Sequence, residues 1–136
     1  MANTKVIVEK GADGTFSAFM AAGQAAGGFD AYGAGDTAAE AIKDFERGYL
    51  ELQTEGAQPR QFKYVLDIGA LFSLFPLNVS ATARAMGVNE ALMRQYAAGT
   101  KQPGPKALSR IAEGLKELAA RLAAAEITAS TPRVYA

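Results

Sequence analysis

Gly87 and Gly99 each close a short helix-like run, and this pair of stops constrains the chain more than any other feature. The first run, Val79 to Met86, ends where a tight turn needs a residue tolerant of positive φ. The second, Glu90 to Ala98, follows Asn89 as its candidate cap and ends at Gly99. Two short helices joined by a glycine turn form the pattern of a helix-turn-helix. Helical spacing in the second run sends Met93 and Tyr96 inward and Glu90, Arg94 and Gln95 outward.

The flanks extend this helical half. Asp67 is placed to cap a short apolar helix from Ile68 to Phe75, closed by Pro76, and Asn78 to cap the run that follows. Pro105 suits a first helical position, from which a long helix is expected to run towards Glu126. In it Leu108, Ile111, Leu115, Leu118 and Leu122 form an apolar stripe of roughly two heptads. A small helical core uses Leu108, Ile111 and Leu115. Leu118 and Leu122 extend the stripe further and are the candidate dimer contacts; the plainer alternative packs all five within one domain.

The first half reads differently. Lys5 to Glu9 is β-branched and bounded by Gly11-Ala12-Asp13-Gly14, and Thr15 to Met20 puts Phe16, Ala18 and Met20 on one face. Phe19 breaks the alternation. Two such runs across a glycine-rich turn predict a β-hairpin. Ala21 to Gly28 reads as a loop and Phe29 to Gly33 as a weakly signalled third strand. Thr37 with Glu40 forms a capping box at the head of a helix. Ala41, Ile42, Phe45, Tyr49 and Leu52 then face inward, and Glu40, Lys43, Asp44, Arg47 and Glu51 face solvent. After Gly56 and Pro59 the next strand candidate is Phe62 to Leu66. The expected fold class is an α+β lobe, β-β-β-α-β over residues 1–67, followed by an all-α lobe over residues 68–136.

Charge divides along similar lines. Residues 1–60 hold five Lys/Arg against nine Asp/Glu, and residues 61–136 hold nine against five. The basic half contains the helix pair, and a basic excess beside such a motif points to a polyanion. Glu90, Ala91, Arg94 and Gln95 share one stripe of the second helix, the stripe a recognition helix aims at base edges. Arginine suits guanine, glutamine suits adenine and glutamate accepts from cytosine. Asn89, Thr100, Lys101 and Lys106 complete the candidate DNA-binding set, the lysines as phosphate contacts. The bland alternative is a solvated face in an all-α scaffold.

Other chemistry is constrained by what the chain lacks. With no histidine, a serine hydrolase of the usual kind is not expected. With no cysteine, disulfides and thiolate metal sites are excluded. Asp13, Asp30, Asp36 and Glu40 are the carboxylates from which a two-metal nuclease site would be built. All but Asp30 have a plainer role in a turn or a helix start. Gly33 and Gly35 before a helix hint at a phosphate cradle. Ala38 stands where a dinucleotide fingerprint needs glycine and no Walker lysine follows, so structural turn residues are expected. No enzyme, no cofactor and no metal are expected. No apolar run approaches the ~18 residues of a spanning helix, and residues 1–10 lack a signal-peptide core. A cytoplasmic protein with no membrane partner is expected.

With both halves in view, the chain resembles the HicB antitoxin family, in its members with a C-terminal helix-turn-helix. Gly33-x-Gly35-Asp36-Thr37-x-x-Glu40-Ala41-Ile42 is similar to that family's Gly-x-Thr-x-Glu-Glu-Ala segment. Val88-Asn89-x-x-x-Met93-x-x-Tyr96-x-x-Gly99-x-x-x-Pro103 is similar to the helix-turn-helix of phage-repressor-type regulators. The resemblance implies a degraded, non-catalytic RNase H-like lobe that binds a small toxic RNase, HicA, and a dimeric repressor of its own operon. Two positions depart from it: Phe19-Met20-Ala21-Ala22-Gly23 lacks the prolines frequent after the family's second strand, and Val79 replaces a phosphate-binding Gln. A stand-alone regulator with a HicB-like sensing lobe is the alternative, and a metal-dependent nuclease a distant third.

Overall fold

The computed structural model describes residues 3–25 and 28–129. Residues 26 and 27 of the expected loop and residues 130–136 of the expected second domain lie outside that description. The chain is an α+β protein, a strand sheet first and helices after it. In order it forms β1 (Asn3–Lys10), β2 (Phe16–Met20), β3 (Tyr32–Gly35), α1 (Ala38–Thr54), β4 (Gln61–Leu66), α2 (Ile68–Leu74), α3 (Val79–Ala85), α4 (Glu90–Ala98) and α5 (Pro105–Ala124). The four strands lie in the order β3-β2-β1-β4. β1 runs antiparallel to β2 and parallel to β4, so α1 belongs to the crossover that returns the chain to the sheet.

The expected hairpin forms, with Glu9 opposite Ser17. Its turn is set by Asp13, whose Oδ1 accepts from the Thr15 amide (3.0 Å) and hydroxyl (2.7 Å). These bonds favour the carboxylate and hold its pKa below the usual range. Alternation then sends Val6, Val8, Phe16, Ala18 and Met20 into one core with Ala41, Phe45 and Tyr49 of α1. Phe62 of β4 stands edge-on to Phe45 and Tyr49, at centroid distances of 5.0 and 5.1 Å. The Tyr49 hydroxyl donates to the Gln58 carbonyl at 2.5 Å, so its burial leaves no orphan polar atom.

The start of α1 departs from the expected capping box in one bond. Thr37 Oγ1 accepts from Glu40 N (3.1 Å) as expected, but Glu40 Oε2 accepts from Asp36 N (3.0 Å), one residue before the cap. The Ala38 amide, another helix-start donor, is satisfied by Ser73 Oγ of α2 at 3.0 Å.

The third strand lies at Tyr32–Gly35 rather than 29–33. Glycine carries no strand propensity, so the sequence signal stops short of it. Both glycines are required by close approach, not by a turn. A Cβ on Gly33 would stand 2.3 Å from Ala41 O and from Phe45 N, and one on Gly35 would stand 2.5 Å from Glu40 Cβ. β3 therefore lies directly against the backbone of α1. Asp44, on the solvent side of α1, ties the two together by accepting from Ala34 N at 3.0 Å. That bond, with Arg47 beside it, holds the Asp44 carboxyl below its usual pKa.

α2 serves two cores. Ala70 and Leu74 pack with the sheet and α1, while Ile68 and Phe72 pack with Ala83, Met93, Tyr96 and Ile111. Gly69 sits where a Cβ would come within 2.9 Å of Lys10 Cβ and 3.1 Å of Ala97 O. Asp67 caps α2 with Oδ1 on Ala70 N (2.8 Å) and uses Oδ2 to accept from Lys10 N (3.0 Å). Phe75, expected inside the helix, closes it instead.

α5 begins at Pro105 as expected and ends at Ala124, two residues short of Glu126. Ile111 is buried and Leu115 packs beside it, but Leu108, expected in the core, is 50 % exposed. A Cβ on Gly114 would stand 2.8 Å from Met86 Sδ, so α5 meets α3 at close range there. Among the described residues, no helix is long and apolar enough to cross a membrane.

Candidate nucleic-acid interface

The α3–α4 pair is fixed by capping at every end. Asn78 Oδ1 accepts from Ala81 N at 2.8 Å, and Asn89 Oδ1 accepts from Leu92 N at 2.9 Å. Only four residues, Met86 to Asn89, separate the two helices. Gly87 adopts φ of 69°, and the amides of Gly87 and Val88 donate to the carbonyls of Arg84 (3.2 Å) and Ala83 (2.9 Å). This is a Schellman closure, for which glycine lacks the Cβ penalty. Gly99 (φ 83°) closes α4 in the same way, with Thr100 N donating to Gln95 O at 3.1 Å.

Beneath the turn Ala83 and Met93 are fully buried, with Tyr96 and Ile111 nearly so. The outer side of α4 holds Ala91, Arg94 and Gln95, all exposed, whereas Glu90 is half-buried. Arg94 reaches across to α3 and donates to Ser80 Oγ at 2.8 Å. Asn89 is engaged as the cap, so its amide oxygen is committed to the backbone. Thr100 Oγ1 donates to Gln95 O at 3.3 Å. Lys101 and Lys106 are exposed, and Lys106 lines one groove together with Asn89. Among the described residues the ion pairs are Arg47–Asp44 and Lys116–Glu113, which leaves Arg94, Lys101 and Lys106 without a carboxylate. Polar donors and bare cations thus gather along α4 and the turn that follows it.

Of the candidate dimer residues, Leu118 is half-buried and Leu122 is 72 % exposed. They continue along α5 the side on which Leu108 is already open.

Two of the carboxylates singled out for a metal site have local partners. Asp13 serves its turn, and Glu40 its helix start. Among the described residues no three His, Cys, Asp or Glu side chains gather as a metal site would need.

Two features escaped sequence reasoning. Arg110, exposed on α5, donates to the Gly87 carbonyl at 2.6 Å and so clasps the turn from another helix. The contact spans 23 residues, and no local spacing signals it. The second is a row across the sheet face opposite α1. Tyr32 pairs with Phe19, Phe19 with Ile7 and Ile7 with Val65, placing one apolar residue on each strand. Tyr32 is 64 % and Val65 43 % exposed. Phe19's break in alternation was the available signal: an apolar residue on the outward side of a strand marks a face that is not simply solvated. Lys5 and Lys63, opposite one another in the register, border the row.

Comparison of the chain with protein-family models, curated proteins and solved structures gave no match.

Proposed function

We propose that this protein is a DNA-binding autorepressor of the HicB antitoxin kind, with α3 and α4 as a helix-turn-helix and a protein-binding sheet lobe. One observation carries the reading. α4 is capped at both ends, by the Asn89 side chain and the Gly99 backbone, buries Met93 and Tyr96, and presents Ala91, Arg94 and Gln95 on the opposite side. A helix so fixed can aim side chains at base edges, with Arg94 and Gln95 as readers and Lys101 and Lys106 on phosphates. Arg94 would exchange Ser80 for a base, trading one hydrogen bond for a bidentate pair.

The sheet lobe supports the second half of the proposal. Its strand order, with β1 central and parallel to β4, suits a reduced RNase H-like lobe. Its open face bears an apolar row, and exposed apolar patches mark contact surfaces. A HicA-like toxin is the proposed partner of that row, which Lys5 and Lys63 border. The lobe acts by binding, without catalysis. Pairing of two copies through the open stripe of α5, Leu118 and Leu122 included, would supply the two reading helices that a two-fold operator needs.

The test is binding of the full-length protein to the DNA upstream of its own gene, as a function of salt and sequence. Arg94→Ala and Gln95→Ala should each relax base preference by about 1–3 kcal/mol, while Lys101→Ala should weaken all sequences alike and flatten the salt slope. No binding at low salt, or equal sequence-blind losses from all three variants, overturns the proposal. A short basic protein encoded next to the gene, co-purifying through the sheet lobe, is the expected toxin.

A further inference from the structure

A groove of about 600 Å³ separates α4 from α5, within the range of small-molecule sites. A small side chain, Ala107, lines it on the α5 side. Ala107 lies one helical turn before buried Ile111 and faces the gap, while its larger neighbour Leu108 borders Leu66 and Ile68 instead. Val88 and Leu92, both half-buried, form the opposite wall. The floor is apolar, and two cations stand over it. Lys106 and Arg110, four positions apart on α5, line the same groove. Neither has a carboxylate partner among the described residues. Arg110 gives one nitrogen to Gly87 O and keeps its other donors.

We propose that this groove binds an amphiphilic monocarboxylate of the medium-chain fatty-acid type, its tail between Ala107 and Leu92 and its head on Lys106 and Arg110. A carboxylate accepts two charge-assisted bonds in the span of one helical turn, and an alkyl tail answers the apolar floor. A phosphodiester offers nothing to that floor, so DNA alone does not account for the groove. The bound tail would lie against Val88 and Leu92, which flank the cap of α4, and the head would occupy Lys106. Ligand and DNA therefore oppose one another, each weakening the other by the same factor. That coupling rests on the reading of α4 proposed above; the groove itself does not.

The experiment is a titration of the full-length, ¹⁵N-labelled protein, without DNA, with decanoate, decanol and acetate below micelle-forming concentrations. Saturable shifts at Val88, Leu92, Ala107 and Ile111 with decanoate are expected, with decanol roughly tenfold weaker and acetate silent. Lys106→Gln should weaken decanoate by about tenfold and leave decanol unchanged. Ala107→Leu should put a branched side chain where the tail lies and abolish both; should it fail to fold, the Lys106→Gln comparison decides alone. Decanol binding as tightly as decanoate, shifts centred on Leu122 or Tyr32, or a folded Ala107→Leu that still binds would each overturn the proposal. A protein that binds decanoate but no DNA keeps this site and loses the repressor reading.

Discussion

Gly48 and Gly114 both stand inside helices, and replacing each with alanine separates helix propensity from packing. Glycine in a helix interior is about 0.8–1.0 kcal/mol less favourable than alanine, so both substitutions start from the same gain. On α1 a Cβ at position 48 would meet nothing closer than Tyr32 O at 4.0 Å. Gly48→Ala should therefore keep the whole gain and stabilise by about 1 kcal/mol. On α5 a Cβ at position 114 would stand 2.8 Å from Met86 Sδ and 2.9 Å from Met86 Cβ and Cγ. Ordinary carbon contacts lie at about 3.5–4.0 Å. The sulfur can swing aside, but Met86 Cβ is fixed to the backbone at the end of α3, so α5 must draw back. Overpacking of this kind costs about 1–3 kcal/mol, which leaves Gly114→Ala between neutral and about 2 kcal/mol destabilised. Urea unfolding followed by far-ultraviolet circular dichroism reads both, and the two variants should differ by about 1–3 kcal/mol. Equal stabilisation by the two substitutions would refute the close seat of α5 on α3, and with it the placing of Arg110 over the turn.

Asp44 gives a pH prediction. Its folded pKa lies below the ordinary 3.8, so its contribution is full above that value and is lost as pH falls through the folded pKa; Asp44→Asn should remove that acid limb from the stability profile. Replacing Leu118 and Leu122 together with Glu should convert dimer to monomer in sedimentation and weaken operator binding; an unchanged dimer moves the contact elsewhere. Phe19→Lys, on the open sheet face, should leave the melting temperature within a few degrees of wild type and abolish capture of the adjacent basic protein, whereas undiminished capture frees that face of the role.

Much of the helical half was legible because caps are local. Asp67, Asn78, Asn89 and Gly99 each act within a few residues, and each appears where side-chain chemistry predicts. The same holds for the Phe16, Ala18 and Met20 alternation. What escaped reading depends on distant partners. Gly33 and Gly35 look like turn residues until α1 is laid against them, and Leu108 looks like core until its place at the rim beside Leu66 and Ile68 leaves half of it open. In the candidate interface, spacing named the exposed side of α4 correctly for Ala91, Arg94 and Gln95. It did not foresee that Glu90 is half covered, or that Arg94 rests on Ser80.

The seven residues of α2 have a mechanical consequence. Ala70 and Leu74 complete one core and Ile68 and Phe72 the other, so neither can be dismantled without stripping a face from its neighbour. Such a chain melts as one unit, and severing it before Ile68 leaves the sheet without its last wall. Gly69 brings Lys10 of the sheet and Ala97 of α4 to within a side chain's width of one backbone point. The sheet and the foot of α4 thus share one backbone point of a short helix as their common seat, and any side chain added there would press on both.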